Sequence, residues 1–518
     1  MRPSFDLRTS PWIPVRWVGG SVEQVGLRVA LCRADEIRSL ECSTPLRQIA
    51  MLRLLLALAH RAHRLADIDA AVERLSGKWP AEAFSRYLDD WAGSFDLYDE
   101  SRPFLQAPWL AHDKKTCEKL HALARITSEW SSGNTKLLMD HHHEAGDYIE
   151  PAAEVVQVLV AHQQFCAGGL SRIFKDSAAG GPGMGFAHIW VTAPTLARFL
   201  TLNQLPQSAQ EYAADLPAWE APAIGPEDVL VDHPPFSGPA SRYCHLSRSI
   251  LLIPETDGQC RSLHWAEGIT RTADDATLDP MEAQRRGKDD AWRSLRLSEE
   301  RAIWRDSQCL VVSPTGHPPA VVRNATALLE EASDYSPVTL GVGGLLTDKA
   351  KLVLWRIEQV TAPIQVLESA ELQGALALAL ETAEQAGRSL FGAMSELARF
   401  LLRESGEADK ADTRRLVDGL PGTRHYWHQL DLEFPHFLER LSSPDAVGEA
   451  LAGWRNSLLD AVENAWRESV RSAGQTRRAL LAAAKAEGAY RRARQAINEK
   501  LEVASEGSIT GRLPSGPG

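Results

Sequence analysis

The sequence lacks the cysteine pattern of a disulfide framework or a structural zinc site. Its seven cysteines are odd in number and widely scattered, and no two of them form a Cys-x-x-Cys pair. Disulfide scaffolds and zinc ribbons need closely spaced or even sets of cysteine. We therefore expect free thiols in a reducing compartment.

Long apolar runs are missing as well. A helix that spans a bilayer needs about 20 consecutive, mostly apolar residues, and no segment of this chain meets that requirement. No signal peptide opens the chain. We therefore expect a soluble, cytoplasmic protein without a membrane partner.

The sequence motifs of common enzyme classes are also absent. The glycine-rich stretches match neither G-x-G-x-x-G nor G-x-x-x-x-G-K-[ST], and neither H-E-x-x-H nor G-x-S-x-G occurs. Paired carboxylates such as Asp89-Asp90 are sequence neighbours of the kind found on any protein surface. We therefore expect no catalytic residues and no cofactor.

The chain has no excess of positive charge. Its formal net charge is −12 and its pI is about 5.8, whereas a stand-alone nucleic-acid binder is usually basic. Any contact with a polyanion must therefore be local or shared with partner proteins. The 518 residues allow two or more domains, and 15 tryptophans are typical of large cores and protein interfaces.

The spacing of apolar residues divides the chain into two parts. It predicts helices over 46–64, 80–91, 151–165 and 192–202, and strands near 250–253, 310–312 and 352–355. From Leu367 onward helical spacing continues, with polar breaks between segments. We predict an α+β fold with a mixed domain over 1–365, a four-helix bundle over 366–504 and a disordered tail over 505–518.

Two glycine-rich loops follow the helix predicted over 151–165. The first is Ala167-Gly168-Gly169 and the second is Ala179–Gly183, with Arg172 and Lys175 between them. Glycine lets the backbone turn with positive φ or approach another backbone closely. The loops and the two cations form a candidate cradle for a polyanion. Two flexible turns between helices remain the structural alternative.

The run His141-His142-His143, with Glu144 and Asp147 nearby, is a candidate metal site. Adjacent side chains point apart on helices and strands, so they do not converge on one ion. We favour a polar, solvated loop without metal. A metal-dependent hydrolase built on 141–147 remains an alternative.

Several short segments occur in an order that resembles one family. Pro11-Trp12-Ile13-Pro14-Val15 resembles an opening "PWIPV", Arg102–Gln106 resembles "HPFxQ" with Arg in place of His, and 132–141 resembles "SGNNxxLFDH". Gly341–Gly344 ahead of a hairpin and the terminal helices complete the series. The chain thus resembles the CasA family, the large subunit of type I-E CRISPR Cascade complexes.

The resemblance implies a non-catalytic role in RNA-guided DNA targeting. A family member recognises the protospacer-adjacent motif (PAM) in double-stranded DNA, helps to start strand separation and R-loop formation, and helps to recruit the nuclease-helicase. The implied partners are crRNA, target DNA, small subunits at the helical bundle, and the backbone and guide-end subunits. A purely architectural subunit, whose loops touch only protein, is a further alternative.

The resemblance also implies which residues contact nucleic acid, without fixing the PAM sequence. Gly180-Gly181 is an alternative counterpart of the family's glycine loop, and Lys349 stands where a Gln can occur in the family. The implied DNA contacts are Ala167, Gly168 and Gly169 in the glycine loop, Arg285, Arg286 and Lys288 in place of a minor-groove lysine, and Asp348, Lys349 and Ala350 in a wedge hairpin. The implied loop near the guide RNA and the PAM contains Gly133, Asn134, Thr135 and Lys136.

Overall fold

The elements of the fold are given by a computed structural model, which describes residues 3–128, 149–272, 278–287, 289–311, 313, 315–348, 351–402 and 409–509. Within these ranges the strands are β1 (Ile13–Trp17), β2 (Val22–Val25), β3 (Ile37–Leu40), β4 (His121–Ala122), β5 (Gly169–Leu170), β6 (Ser177–Ala178), β7 (His188–Val191), β8 (Asp232–His233), β9 (Arg248–Pro254), β10 (Cys260–Glu267), β11 (Thr270–Arg271), β12 (Gln284–Arg286), β13 (Trp292–Ser294), β14 (Gly316–His317), β15 (Val338–Asp348) and β16 (Lys351–Ala362). The helices are α1 (Leu27–Cys32), α2 (Pro45–Ala62), α3 (Ile68–Ser76), α4 (Ala81–Asp90), α5 (Ala152–Phe165), α6 (Leu196–Asn203), α7 (Ala209–Ala214), α8 (Pro226–Leu230), α9 (Pro239–Tyr243), α10 (Ala320–Glu331), α11 (Ile364–Glu368), α12 (Ala370–Leu402), α13 (Lys410–Gly419), α14 (Gly422–Arg440), α15 (Val447–Ala473) and α16 (Arg477–Ile509).

These elements form two units. The first comprises 1–300, 317–334 and 339–359, and the second comprises 301–316, 335–338 and 360–518. The first mixes helices with small sheets, whereas the second is built mainly from the long C-terminal helices. The α+β fold class with a C-terminal helical region is confirmed.

Helix α2 lies at the centre of the first unit. Thr44 caps it by accepting a hydrogen bond from the Arg47 N–H, and Pro45 occupies its first position. At mid-helix the Arg53 guanidinium pairs with Asp279 at 2.8 Å, with both side chains fully buried. Arg53 also donates to the Gln164 side chain of α5 at 2.8 Å. A buried charge needs such partners, and the bond to Gln164 joins α2 to the last turn of α5.

The chain opens with a β-hairpin that turns at Gly19-Gly20. Strands β1 and β2 pair antiparallel, with Ile13 opposite Val25. Gly20 lies in the turn with a φ of 96°, a conformation that glycine adopts without steric cost. Strand β3 pairs with the other edge of β1.

Two secondary-structure predictions were wrong. The segment 310–312 was predicted as a strand, but Leu310 ends a 3-10 helix that begins at Ile303, and residue 312 lies outside the described residues. A short apolar run signals burial without fixing the type of element. Helix α6 begins at Leu196 rather than at Thr192, because Thr195 is its N-cap and accepts from the Arg198 N–H.

The second unit packs α12, α14, α15 and α16 into a bundle. Polar tips of buried aromatic side chains bond to the backbone of α12: Tyr426 donates to the Ala383 carbonyl at 2.7 Å and Trp454 to the Ala379 carbonyl at 3.0 Å. Pro435 lies inside α14. Among the described helices, none combines the length and apolar character that a bilayer span requires.

Candidate nucleic-acid interface

The first glycine loop opens a small hairpin after α5. Strands β5 and β6 pair antiparallel, with Gly169 opposite Ala178 and Leu170 opposite Ser177. The Arg172 N–H donates to the Lys175 carbonyl at 3.0 Å and closes the tip. We call residues 167–180 the glycine hairpin.

The two glycine loops lie side by side in one structure. The Gly181 N–H donates to the Cys166 carbonyl at 2.8 Å. A Cβ at Gly168 would lie 2.9 Å from the Gly180 nitrogen, and a Cβ at Gly181 would lie 2.4 Å from the Gln164 carbonyl oxygen. Close backbone approach therefore explains Gly168 and Gly181, and the loops are not two independent flexible turns.

Arg248 holds the two loops together. Its guanidinium donates to the Ala167 carbonyl at 2.6 Å and to the Ala179 carbonyl at 2.7 Å. The residue is buried, with 3% of its surface exposed. The sequence analysis did not identify Arg248, although a single arginine that begins an apolar strand is the kind of signal that marks a buried, partnered charge.

The tip of the glycine hairpin is anchored on the rest of the first unit. The Glu267 carboxylate accepts from the N–H groups of Ile173 at 2.9 Å and Phe174 at 3.1 Å. Burial raises the pKa of Glu267, but hydrogen bonds from Ser171 and from these two N–H groups outweigh it, and the pKa lies below its ordinary value. The carboxylate is therefore stably charged and fixes the tip.

The candidate cradle of Arg172 and Lys175 is only partly available to a ligand. The Lys175 ammonium donates to the Thr270 hydroxyl at 2.6 Å, and burial lowers its pKa. Lys175 is thus held within the protein, whereas Arg172 is exposed. The exposed part of the hairpin also includes 167–170, where Leu170 has 78% of its surface accessible.

Arg285 and Arg286 belong to a second hairpin, formed by β12 and β13, which we call the basic hairpin. Strands β12 and β13 pair antiparallel, with Arg285 opposite Arg293. Arg286 and Asp290 form an exposed ion pair at 3.4 Å, so part of the charge of the loop is compensated locally. Arg285 and Arg286 are exposed, and Lys288 lies outside the described residues.

The predicted wedge and guide-proximal loop fall largely outside the described residues. Asp348 is exposed and ends β15, while Lys349 and Ala350 are not among the described residues. The same holds for the loop residues Gly133, Asn134, Thr135 and Lys136, and for 141–147, the proposed metal segment. The nucleic-acid contacts assigned to these residues remain predictions.

Strand β7 connects the described candidate elements. It follows the glycine loops in sequence and pairs antiparallel with β15, which ends at Asp348, the first residue of the predicted wedge. The Ile189 N–H donates to the Met281 carbonyl at 2.9 Å, and the neighbouring Ala187 N–H donates to the Leu295 carbonyl at 2.7 Å. Met281 and Leu295 flank the β12–β13 hairpin. The fold therefore attaches the glycine hairpin, the basic hairpin and the wedge strand to one short strand.

The described residues contain no group of three or more His, Cys, Asp or Glu side chains arranged to hold a metal ion. Within the same part of the chain, the buried histidines His188 and His245 and the partly buried His162 have pKa values lowered to about 3, mainly by desolvation. They are therefore neutral core residues near pH 7. Arg172, Arg285 and Arg286 are exposed on the two hairpins, and arginine is among the side chains that contact nucleic-acid phosphates in many proteins.

Comparison with known proteins gives a consistent result. The family model of the CRISPR-associated protein Cse1 matches residues 6–465. A CRISPR-associated protein CasA/Cse1 from Thermus thermophilus is 31% identical over 517 residues, which cover 96% of this chain and 99% of the relative. The crystal structure of Thermus thermophilus CasA has a TM-score of 0.83 at 30% identity, with 95% of this chain and 99% of that chain covered.

The fold also resembles a chain of a CRISPR RNA-guided surveillance complex. That chain has a TM-score of 0.76 at 24% identity, with coverage of 96% of this chain and 99% of the other. A mixed unit followed by a helical bundle is thus a fold that this chain shares with CRISPR-associated proteins. This chain belongs to the CRISPR-associated Cse1 family, and the resemblance seen in the sequence is confirmed.

Proposed function

We propose that this chain is the non-catalytic large subunit of an RNA-guided CRISPR surveillance complex and recognises the PAM in double-stranded DNA. Family membership supports the subunit role, because a structurally similar chain belongs to a CRISPR RNA-guided surveillance complex. The proposed partners are crRNA, target DNA, other complex subunits and a nuclease-helicase.

One observation carries the DNA-recognition part of the proposal. The glycine hairpin exposes a glycine-containing edge at 167–170, yet Arg248 and Glu267 fix its base and its tip. A rigid edge without bulky side chains at its glycines suits the minor groove, which is narrow and presents a degenerate pattern of acceptors. Such an edge can test several flanking sequences without a bidentate base contact.

The proposed wedge supplies the next step. Exposed Asp348 ends β15, and we propose that the residues that follow it, 349–350, insert between base pairs next to the PAM. Unstacking a step costs a few kcal/mol, which pairing with the guide RNA and contacts to the DNA backbone offset. Guide pairing then carries sequence specificity, so this subunit needs few base contacts.

A gel-shift titration tests the proposal. The guide-loaded partner subunits would be titrated onto target duplex, with and without this chain, at fixed salt over a panel of flanking trinucleotides. We expect this chain to tighten binding strongly for some flanks and little for others. Equal affinities for every flank would contradict PAM recognition and favour the architectural alternative.

A further inference from the structure

The first unit contains a cleft of about 730 Å³ whose lining is strongly biased toward arginine. Among the described residues that line it, Glu282 is the only carboxylate. The volume falls within the range of about 300–1,000 Å³ that is typical of ligand sites. The arginines are Arg242, Arg271, Arg285, Arg293 and Arg296.

Two of these guanidinium groups are held on one aromatic ring. The Cζ atoms of Arg242 and Arg271 lie 4.5 Å and 5.0 Å from the ring centroid of Phe236. Arg271 also donates to the Pro234 carbonyl at 2.9 Å. Its Nε atom is buried without a hydrogen-bond partner among the described residues. The protein therefore fixes two like charges close together and leaves a donor on one of them unused.

Among the described residues of the cleft, one carboxylate faces five arginines. Glu282 accepts a hydrogen bond from the Ser294 hydroxyl at 2.6 Å, and burial raises its pKa. Arg293 pairs with Asp289 at 2.5 Å. Arg296 is exposed and makes no ion pair with the described residues. The next acidic residues along the chain from Arg271, at 274 and 275, lie outside the described residues.

We propose that this arginine cleft binds phosphate groups of the target DNA backbone, independently of base sequence. Guanidinium groups suit phosphate because their planar N–H forks match its oxygens. Phosphate contacts of this kind set the register of a protein on DNA but carry no sequence information. The inference rests on the proposed function, and it adds a backbone contact distinct from the glycine hairpin.

The proposal predicts a change in salt dependence. Each lost phosphate contact lowers the steepness of log K against log salt by about 0.9. In the complete guide-loaded complex, the double variant Arg271→Gln/Arg296→Gln should weaken binding to every flank by a similar factor. Its slope should be shallower by about 1.8, which is twice the value for one contact. The ratio between the best and worst flanks should not change.

Matched variants separate the possible outcomes. Arg86→Gln/Arg261→Gln removes the same charge from other exposed positions and should leave the slope unchanged. The single variant Arg296→Gln changes an exposed side chain, so the protein should still fold. It should lower the slope by about 0.9. A slope equal to that of the charge-matched control would overturn the proposal.

Two further results would also overturn it. If the variants lose crRNA or fail to join the complex before DNA is added, the cleft binds guide RNA or a partner. If only the flank ratio changes, the arginines read bases instead of backbone. If the unmodified complex binds every flank equally, the proposed function is contradicted instead. Failure of the arginine-cleft proposal can therefore be distinguished from failure of the proposed function.

Discussion

The Nη2 atom of Arg248 lies 2.6 Å from the carbonyl oxygen of Ala167. This contact joins the first residue of β9 to a loop 81 positions earlier in the chain. A hydrogen bond from a charged donor in a buried setting contributes about 1.5–3 kcal/mol. The exposed edge of the glycine hairpin is therefore positioned by a residue that does not itself face solvent.

Replacing Arg248 should loosen the glycine hairpin. Arg248→Met removes the hydrogen bonds to Ala167 and Ala179, and we expect the free energy of unfolding to fall by about 3 kcal/mol. Arg261→Met, at an exposed ion pair, should cost less than about 1 kcal/mol. Urea unfolding followed by circular dichroism would measure both. Equal stabilities of the two variants would contradict the assigned role of Arg248.

Replacing either of two adjacent glycines in the second loop should change the stability of the protein by very different amounts. A Cβ at Gly181 would lie 2.4 Å from the Gln164 carbonyl oxygen, whereas at Gly180 the nearest atom would be 3.6 Å away. We expect Gly181→Ala to destabilise the protein by about 1–3 kcal/mol through overpacking and Gly180→Ala to change stability by less than about 0.5 kcal/mol. Thermal unfolding of both variants tests this order, and the reverse order would contradict the packing described here.

The free energy of unfolding should decrease as the pH falls below about 6.5, the ordinary pKa of histidine. His188 lies between Phe165 and Phe186, and its pKa is lowered to about 3, mainly by burial and also by Arg53. In the unfolded chain histidine titrates near pH ~6.5. The unfolded state therefore binds the extra proton between about pH 6.5 and 3, and the stabilisation present above pH 6.5 is lost across that window.

The pH effect can be assigned to one residue. Each such histidine contributes a slope of up to about 1.4 kcal/mol per pH unit. Replacing His188 by Phe keeps an aromatic ring between its neighbours and should reduce the slope measured from pH 5.5 to 4.5 by about that amount. Urea unfolding at several pH values would show it. An unchanged slope would mean that His188 is protonated equally in both states.

The helical unit depends on a tryptophan from outside its long helices. Trp304 stacks on Phe434 with ring centroids 4.5 Å apart and donates to the Asp431 carboxylate at 2.6 Å. Trp304→Ala should destabilise this unit by about 3–5 kcal/mol. Leu432→Ala, at a side chain with 61% exposure, should have little effect. Calorimetry of both variants measures the difference, and equal transition temperatures would contradict the role of Trp304.

The sequence predicted the parts of the fold that local spacing determines. Helices α2 and α5 match the predicted segments to within two residues at each end, because an apolar face recurs every three to four residues. The segment 303–310 was not linked to the helical unit, since its contacts with Asp431 and Phe434 are more than 100 positions away. Long-range packing of this kind leaves no local pattern.

The candidate site was predictable only as separate pieces. The glycine content of the two loops was apparent in the sequence. Their side-by-side arrangement depends on Arg248, which is remote in sequence. The arginine cleft was not predicted, because Arg242 in α9, Arg271 in β11 and Arg296 after β13 come from separate elements with no common motif. The folded chain alone brings such residues together.

The exposed edge of the glycine hairpin is proposed to read the DNA next to the target. Ala167→Glu places a negative charge on that edge without altering a glycine, and Ala213→Glu places the same charge on the exposed face of α7. Each variant would be assembled into the guide-loaded complex and titrated onto duplexes with the best and the worst flanks. The account predicts that Ala167→Glu abolishes the difference between the flanks and that Ala213→Glu preserves it. An unchanged difference with Ala167→Glu would contradict the account.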